Sequence, residues 1–313
     1  MNDVRSRIND VLDLERIDDD IYRGRVIPST LTRTFGGQVA SQSLVAATQT
    51  VAEGFRVHSL HGYFVAPGNS DEPTTYLVDR VRDGRSFVMR SVKAIQNGHA
   101  IFIMQASFHH GRDAGPEHAD RMRDVPAPED VVVDPSDNPP VRRALFQEWS
   151  DWDIRVVPPE NYRHDPDRAS QQVVWFRTRE SLPDDDTVHV CTLAYMSDMT
   201  LLSSALVPHQ GQTFQEASLD HAMWFLRPFR ADEWLLYDQT SPSAHAGRAL
   251  THGRIFNRQG ELVAVVTQEG LTRALEPSKG GAIPFRDGVA ETDGGRTATA
   301  ETDGDRTETG ETR

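Results

Sequence analysis

The stretch GGQVASQSLVAA (36–47), leading into HSLHGYFVAPG (58–68), decides the architecture when set beside SDMTLLSSAL (197–206) and SLDHAMWFLRPF (218–229). Each time a helix-forming run precedes a strand-like segment closed by proline. The first pair continues into TTYLVDRV (74–81) and GRSFVMRSVKAIQNGHAIFIMQASF (84–108). The second continues into EWLLYDQT (233–240) and GRALTHGRIFNRQGELVAVVTQEG (247–270). Three landmarks recur about 160 residues apart: Phe64-x-x-Pro67 and Phe225-x-x-Pro228, Gly84-Arg85 and Gly247-Arg248, Gln105 and Gln268. Helix, proline-punctuated strand and hairpin in one order, met twice, predict a tandem duplication of one helix-plus-sheet unit. Duplicated units divide their labour, so polar groups present in one copy only point to the working site.

Working outward, Val39, Leu44, Val45 and the alanines of the first run give one compact apolar face. The segments 57–65, 74–82, 86–95 and 100–108 read as successive antiparallel strands, with Asp83-Gly84 and Asn97-Gly98 as turn dipeptides. A sheet wrapped around one long helix buries both. Residues 1–20 read as a short amphipathic helix and YRGRVIP (22–28) as an edge strand. QQVVWFRTR (171–179) opens the second sheet, and VHVCTLAYMSD (188–198) runs into a second central helix starting near Asp198. The expected organisation is an N-terminal unit (1–112), a Pro/Asp-rich linker with a short packed segment (113–168), a C-terminal unit (169–276) and an acidic, disordered tail (277–313). The tail repeats AETDGGRTAT as AETDGDRTET, which cannot bury a core.

At 313 residues there is room for two cores. Lys and Arg total 33 against 47 Asp and Glu, a net charge of −14, which argues against nucleic acid as a partner. Lysine occurs only at Lys93 and Lys279, a bias that suits either a high-salt cytoplasm or a GC-rich genome. No apolar run is long enough to span a membrane, and MNDVRSRINDVLDLERIDDD is too charged for a signal peptide, so a cytoplasmic protein is expected. The single Cys191 excludes an intrachain disulfide and reads as a buried, inert thiol.

Several catalytic signatures are missing from the sequence: G-x-S-x-G, the P-loop, G-x-G-x-x-G and H-E-x-x-H. His109, His110 and His118 flank a loop with no matching Cys or carboxylate framework and read as solvated side chains, so no metal site is expected. The comparison of copies says more. Where the first helix opens with FGGQ, the second has YMSD, and Asp198 either caps that helix or holds a water beside it. FGGQ itself is taken to let the helix approach the sheet closely. Ser218 follows on the next strand and Gln268 on the last, in an apolar run where an inward amide needs partners. Singly, each has an ordinary structural reading. Together, acid, hydroxyl and amide make a set suited to one water.

These blocks, with FGGQVASQSL, VHSLHGYFVAPG, AIQNGHAIFIMQASF, LDHAMWFLRPF and VTQEG foremost, resemble the acyl-CoA thioesterase II family from about residue 8 to 275. The resemblance implies an α+β tandem (double) hotdog: two antiparallel sheets, each wrapped around a long central helix. It also implies hydrolysis of acyl-CoA to free acid and CoA without an acyl-enzyme or cofactor. By block position the family's catalytic Asp, hydroxyl and Gln fall on Asp198, Ser218 and Gln268. Ser218 stands where Thr is common, and Leu226 replaces the His of a common HRP block. Assembly to a homo-oligomer, dimer or tetramer, is implied as well. Two other readings remain: a non-catalytic acyl-CoA binding protein on the same fold, and a hotdog hydratase. The latter would need an Asp–His pair that the spacing of His209 and His221 does not compel.

Overall fold

The computed structural model describes residues 7–111, 113–132, 140–275 and Phe285. The N-terminal half runs α1 (Arg7–Leu12), β1 (Leu14–Asp18), β2 (Ile21–Gly24), α2 (Gly36–Thr48), β3 (Arg56–Phe64), β4 (Thr74–Asp83), β5 (Phe87–Gln96) and β6 (His99–His109). After α3 (Pro140–Glu148) and β7 (Trp152–Val156) the C-terminal half follows. It comprises β8 (Ser170–Thr178), α4 (Asp186–Met196), β9 (Phe214–Ser218), β10 (Asp220–Phe225), β11 (Leu235–His245), β12 (Arg248–Asn257) and β13 (Leu262–Ala274).

Among the described residues the strands form one antiparallel sheet in the order β1-β2-β4-β5-β6-β3-β10-β13-β12-β11-β8-β7, with β9 on β13. Read outward from the centre, both halves repeat one order, β3-β6-β5-β4-β2-β1 and β10-β13-β12-β11-β8-β7. The axis relating them passes where His61 faces Ala222. The two sheets expected from the sequence are therefore joined edge to edge through β3 and β10. The hairpins follow local chemistry. Asn97 and Gly98 take φ 50° and 78°, and Ala246 and Gly247 take 52° and 74°, the left-handed pair that matches strand twist. Ala246 does this without glycine's freedom, which is uncommon.

Helix α2 is buried from Gly37 to Ala47 because strands β3–β6 cover one side and α4 another. Gln42 ties it to its neighbours: Gln42 Nε2 donates to Val11 O at 2.8 Å, and Tyr76 OH donates to Gln42 Oε1 at 2.6 Å. These bonds fix α1 and β4 against the helix. A second clamp is Glu148, whose carboxylate receives Ser29 Oγ (2.7 Å), Thr30 N (2.8 Å), Thr30 Oγ1 (2.6 Å) and the Arg7 guanidinium. Burial alone would raise its pKa; the hydrogen bonds from Thr30 and Ser29 and the pairing with Arg7 overturn that and hold it low.

Several expectations are corrected. The helix expected over 1–20 ends at Leu12, and residues 14–18 form the outer strand β1; consequently β2 lies inside the sheet, between β1 and β4. Within 113–168, β7 extends the second half, and Trp149 and Trp152 are core residues, the first tilted against Phe35 and the second stacked on Tyr195. The second helix does not start near Asp198 but occupies Asp186–Met196, capped by Asp185 accepting from Thr187 N–H at 2.8 Å. Cys191 is buried, and burial pushes its thiol far above the ordinary range. The acidic tail lies outside the described residues, except that Phe285 bridges to Leu31.

Leu60 (0% exposed) packs at the seam opposite Met223, also 0% exposed. Leu60→Ala is expected to cost about 2–5 kcal/mol, read as a lower midpoint in urea unfolding. A loss below about 1 kcal/mol would mean that the seam closes around the gap or carries little of the stability.

Candidate active site

Asp198 follows the α4 C-cap Ser197, in the turn before a 3-10 segment at Leu202–Leu206. It therefore sits at the end of its own helix. The helix N-terminus that it meets belongs to the other half. A Cβ on Gly36 would stand 2.6 Å from Asp198 Oδ2, and one on Gly37 would stand 2.4 Å from the Tyr195 carbonyl oxygen. The FGGQ glycines thus admit the end of α4 and its carboxylate, and Gly36 also lies against the Phe64 ring of β3, 3.0 Å from where a Cβ would stand. The Gly37 backbone N–H and the positive end of α2 favour the charged carboxylate.

Ser218 ends β9 and Gln268 lies in β13, which pairs with β9 so that Gly270 faces Ser218. The structure brings all three expected residues together. Gln268 Nε2 donates to Asp198 Oδ1 at 2.6 Å and to Ser218 Oγ at 2.8 Å, while Ser218 Oγ donates to Asp198 Oδ1 at 3.0 Å. The orientation of the amide follows from chemistry, because an ionised carboxylate only accepts and must face the amino group. Gln268 is 0% exposed, and among the described residues its Oε1 has no partner. An orphaned buried acceptor beside a carboxylate suits a bound water or ligand. Burial pushes the Asp198 carboxyl up to about 6, against the hydrogen bonds from Gln268, Ser218 and Gly37. Gln105 does not repeat this in the first half. With Phe64 and Phe225 as equivalents, Phe102 matches Ala264, so Ala106 takes the place of Gln268 and Gln105 points outward.

Asp198 and Ser218 open onto a cavity of about 940 Å³ whose wall includes Gly36, Val39, Phe64, Phe146 and Leu202. That is ample for an extended ligand. Beneath Asp198 lies a layer that sequence reasoning missed. Ser197 Oγ donates to Ala194 O at 3.0 Å and meets His221 Nε2 at 2.8 Å, so the imidazole donates through Nε2–H. Its Nδ1 is unpartnered among the described residues, and burial holds its pKa down to about 4, which keeps it neutral. Tyr237 OH donates to Ser197 O at 3.0 Å. The alternation of β10 was the available signal, placing His221 inward with Met223. Elsewhere, Asp113 supplies the carboxylate thought missing near His109 and His110. Their ligand atoms lie within 4.8 Å of one another, and His118 lies outside the group.

With this geometry established, residues 144–271 match the family described as acyl-CoA thioesterase, and residues 27–109 match its N-terminal domain family. The chain is 43% identical over 296 residues to acyl-coenzyme A thioesterase 8 of Mus musculus, covering 88% of this chain and 91% of that one. A crystal structure of an acyl-CoA thioesterase II from Mycobacterium marinum is 53% identical, with a TM-score of 0.77 over 86% of this chain and 99% of its own. A protein with a hot dog fold from Alicyclobacillus acidocaldarius, 21% identical, aligns with a TM-score of 0.72 over 87% of this chain and 100% of its own. That likeness shows the fold. Among the described residues no helix is long and apolar enough to cross a membrane.

A carboxyl raised from 3.8 to about 6 on folding contributes its stability while protonated and loses it as pH rises through about 6. Asp198→Asn is therefore expected to stabilise the protein by about 1–3 kcal/mol at pH 8, with the gain fading as pH falls from about 6 to about 4. Thermal unfolding of both proteins across this range measures it. An equal gain at pH 4 and pH 8 would contradict the burial argument.

Proposed function

The chain belongs to the acyl-CoA thioesterase family, and from that premise we propose that it hydrolyses acyl-CoA thioesters to free acid and CoA, with Asp198, Ser218 and Gln268 holding the attacking water. The observation that carries this reading is the closed hydrogen-bonded set of acid, hydroxyl and amide at the cavity wall, with one amide oxygen left open. The water approaches the thioester carbon while Asp198 accepts its proton. A pKa of about 6 leaves Asp198 mostly ionised at neutral pH yet basic enough to take that proton. The positive end of α2, beside Asp198, would also favour the negative charge that develops on the thioester oxygen. The tetrahedral species then expels CoA thiolate, a good leaving group with a thiol pKa of about 8.5, which recovers the proton from Asp198 or solvent. No nucleophilic side chain is consumed, so no acyl-enzyme forms.

The same reading extends to architecture. We take 1–112 and 169–276 as two hotdog units, with α2 and α4 as their helices. The connecting segment 113–168 supplies the outer strand β7 to the second. The shared strand order of the halves supports this duplication. Homo-oligomer formation also belongs here. Leu77, Ile103 and Tyr63 are exposed along one row of paired residues crossing β4, β5, β6 and β3, a face suited to a second copy. Sedimentation showing only a 35.0 kDa species would remove that part.

CoA release measured with a thiol reagent tests the mechanism. Asp198→Ala is expected to lower kcat by about 10²–10⁴-fold while leaving the circular dichroism spectrum unchanged. In the wild type, kcat/KM should rise about tenfold per pH unit below pH 6 and level off above it. Retained turnover in Asp198→Ala, or a pH-independent rate between 5 and 7, would reject Asp198 as the base.

A further inference from the structure

The strand that presents Ser218 to the cavity also presents a charge that hydrolysis leaves unused. Glu216 lies two residues before Ser218 on β9, so strand alternation points both side chains to one face, about 7 Å apart. Both line the cavity. Arg142 lines it as well, from the first turn of α3, at the head of the stripe it forms with Leu145, Phe146 and Trp149. Arg142 and Glu216 are too far apart for an ion pair, and among the described residues neither side chain has a hydrogen-bond partner. Each does feel the other's charge: burial pushes the Glu216 carboxyl up to about 7 against the pull of Arg142, and burial lowers the Arg142 guanidinium against the pull of Glu216.

A guanidinium and a carboxyl group, both half-buried and without hydrogen-bonded partners beside apolar side chains, are expensive unless something bonded fills the space between them. The filling group must donate to a carboxylate and accept from a guanidinium. A carboxylate there would meet Glu216, and an ammonium would meet Arg142, so an uncharged amide or hydroxyl fits best. We propose that Arg142 and Glu216 form a substrate-binding subsite for such a donor–acceptor group, one short arm from the thioester. This rests on the thioesterase reading given above. Two parts of an acyl-CoA carry this chemistry: the first amide of the pantetheine arm, two methylene groups from the sulfur, and a hydroxyl on the acyl chain.

The test compares the full-length wild type with Glu216→Ala, Glu216→Gln and Arg142→Met on three substrates: hexanoyl-CoA, 3-hydroxyhexanoyl-CoA and S-ethyl hexanethioate. If the subsite holds the pantetheine amide, Glu216→Ala and Arg142→Met raise KM for both CoA esters by about ten- to a hundredfold and leave hydrolysis of the ethyl thioester unchanged. If it holds an acyl hydroxyl, the loss is confined to the hydroxyacyl ester. In either case Glu216→Gln, which keeps an acceptor in place, recovers most of the affinity. Rates within twofold of wild type on all three substrates overturn the subsite. So does an equal loss on all three, which reports general damage to the wall. Should Arg142→Met not fold, the two Glu216 variants decide alone. A wild type inactive on both CoA esters sinks the thioesterase reading itself, an outcome distinct from failure of the subsite.

Discussion

The meeting of the Asp198 carboxylate with the bare first turn of α2 constrains everything around it. A carboxylate held among protein atoms is costly unless donors surround it. Here they come from three directions: Gln268 and Ser218 on the sheet side, and the Gly37 N–H on the helix side. For the helix to come that close, Gly36 must lack a Cβ, and Gly37 must lie against the Tyr195 carbonyl. The pressing of α2 on α4, the bareness of FGGQ and the raised Asp198 pKa are thus aspects of one arrangement. It also divides the site between the halves of the chain, with the acid from one and the helix terminus from the other.

Much of this was legible because it obeys local rules. The strands of the first half alternate cleanly and turn at Asn97-Gly98, so their bounds could be read within a residue or two. Asp198, Ser218 and Gln268 stood out as polar residues at landmarks of the second copy. What was misread shares a cause. Helix α4 is apolar on nearly every side and includes Val188 and Val190, so VHVCTLAYM shows no helical stripe and its start was placed one segment too late. Aligning Gln105 with Gln268 by offset was wrong by one residue, and in a strand one residue exchanges the faces. The pairing of β3 with β10 and the Ser197–His221–Tyr237 layer are long-range contacts, and Arg142 and Glu216 share only a cavity wall; no local pattern announces any of these.

The asymmetry between the copies has a physical basis too. The position two residues past the end of α2, matching Asp198 beyond α4, is Thr50. Its hydroxyl donates to Ala47 O at 2.8 Å and accepts from Arg90 Nε at 2.7 Å, and Arg90 Nη2 donates to Thr50 O at 3.0 Å. Arg90 is 1% exposed and reaches Asp83 as well. Where one half keeps an acid at the wall of a void, the other has closed the space with a guanidinium whose donors are occupied. Ala106 in place of Gln268 completes the change from a polar wall to packing.

The junction of β3 with β10 carries a lesson for anyone who would cut this chain. Severing it would strip each fragment of a neighbour along an inner strand and lay bare a ladder of unsatisfied amides and carbonyls, the template on which chains stick to one another. The acid would also lose the helix end that steadies it. In this form neither half could be freed without dismantling the site that both supply.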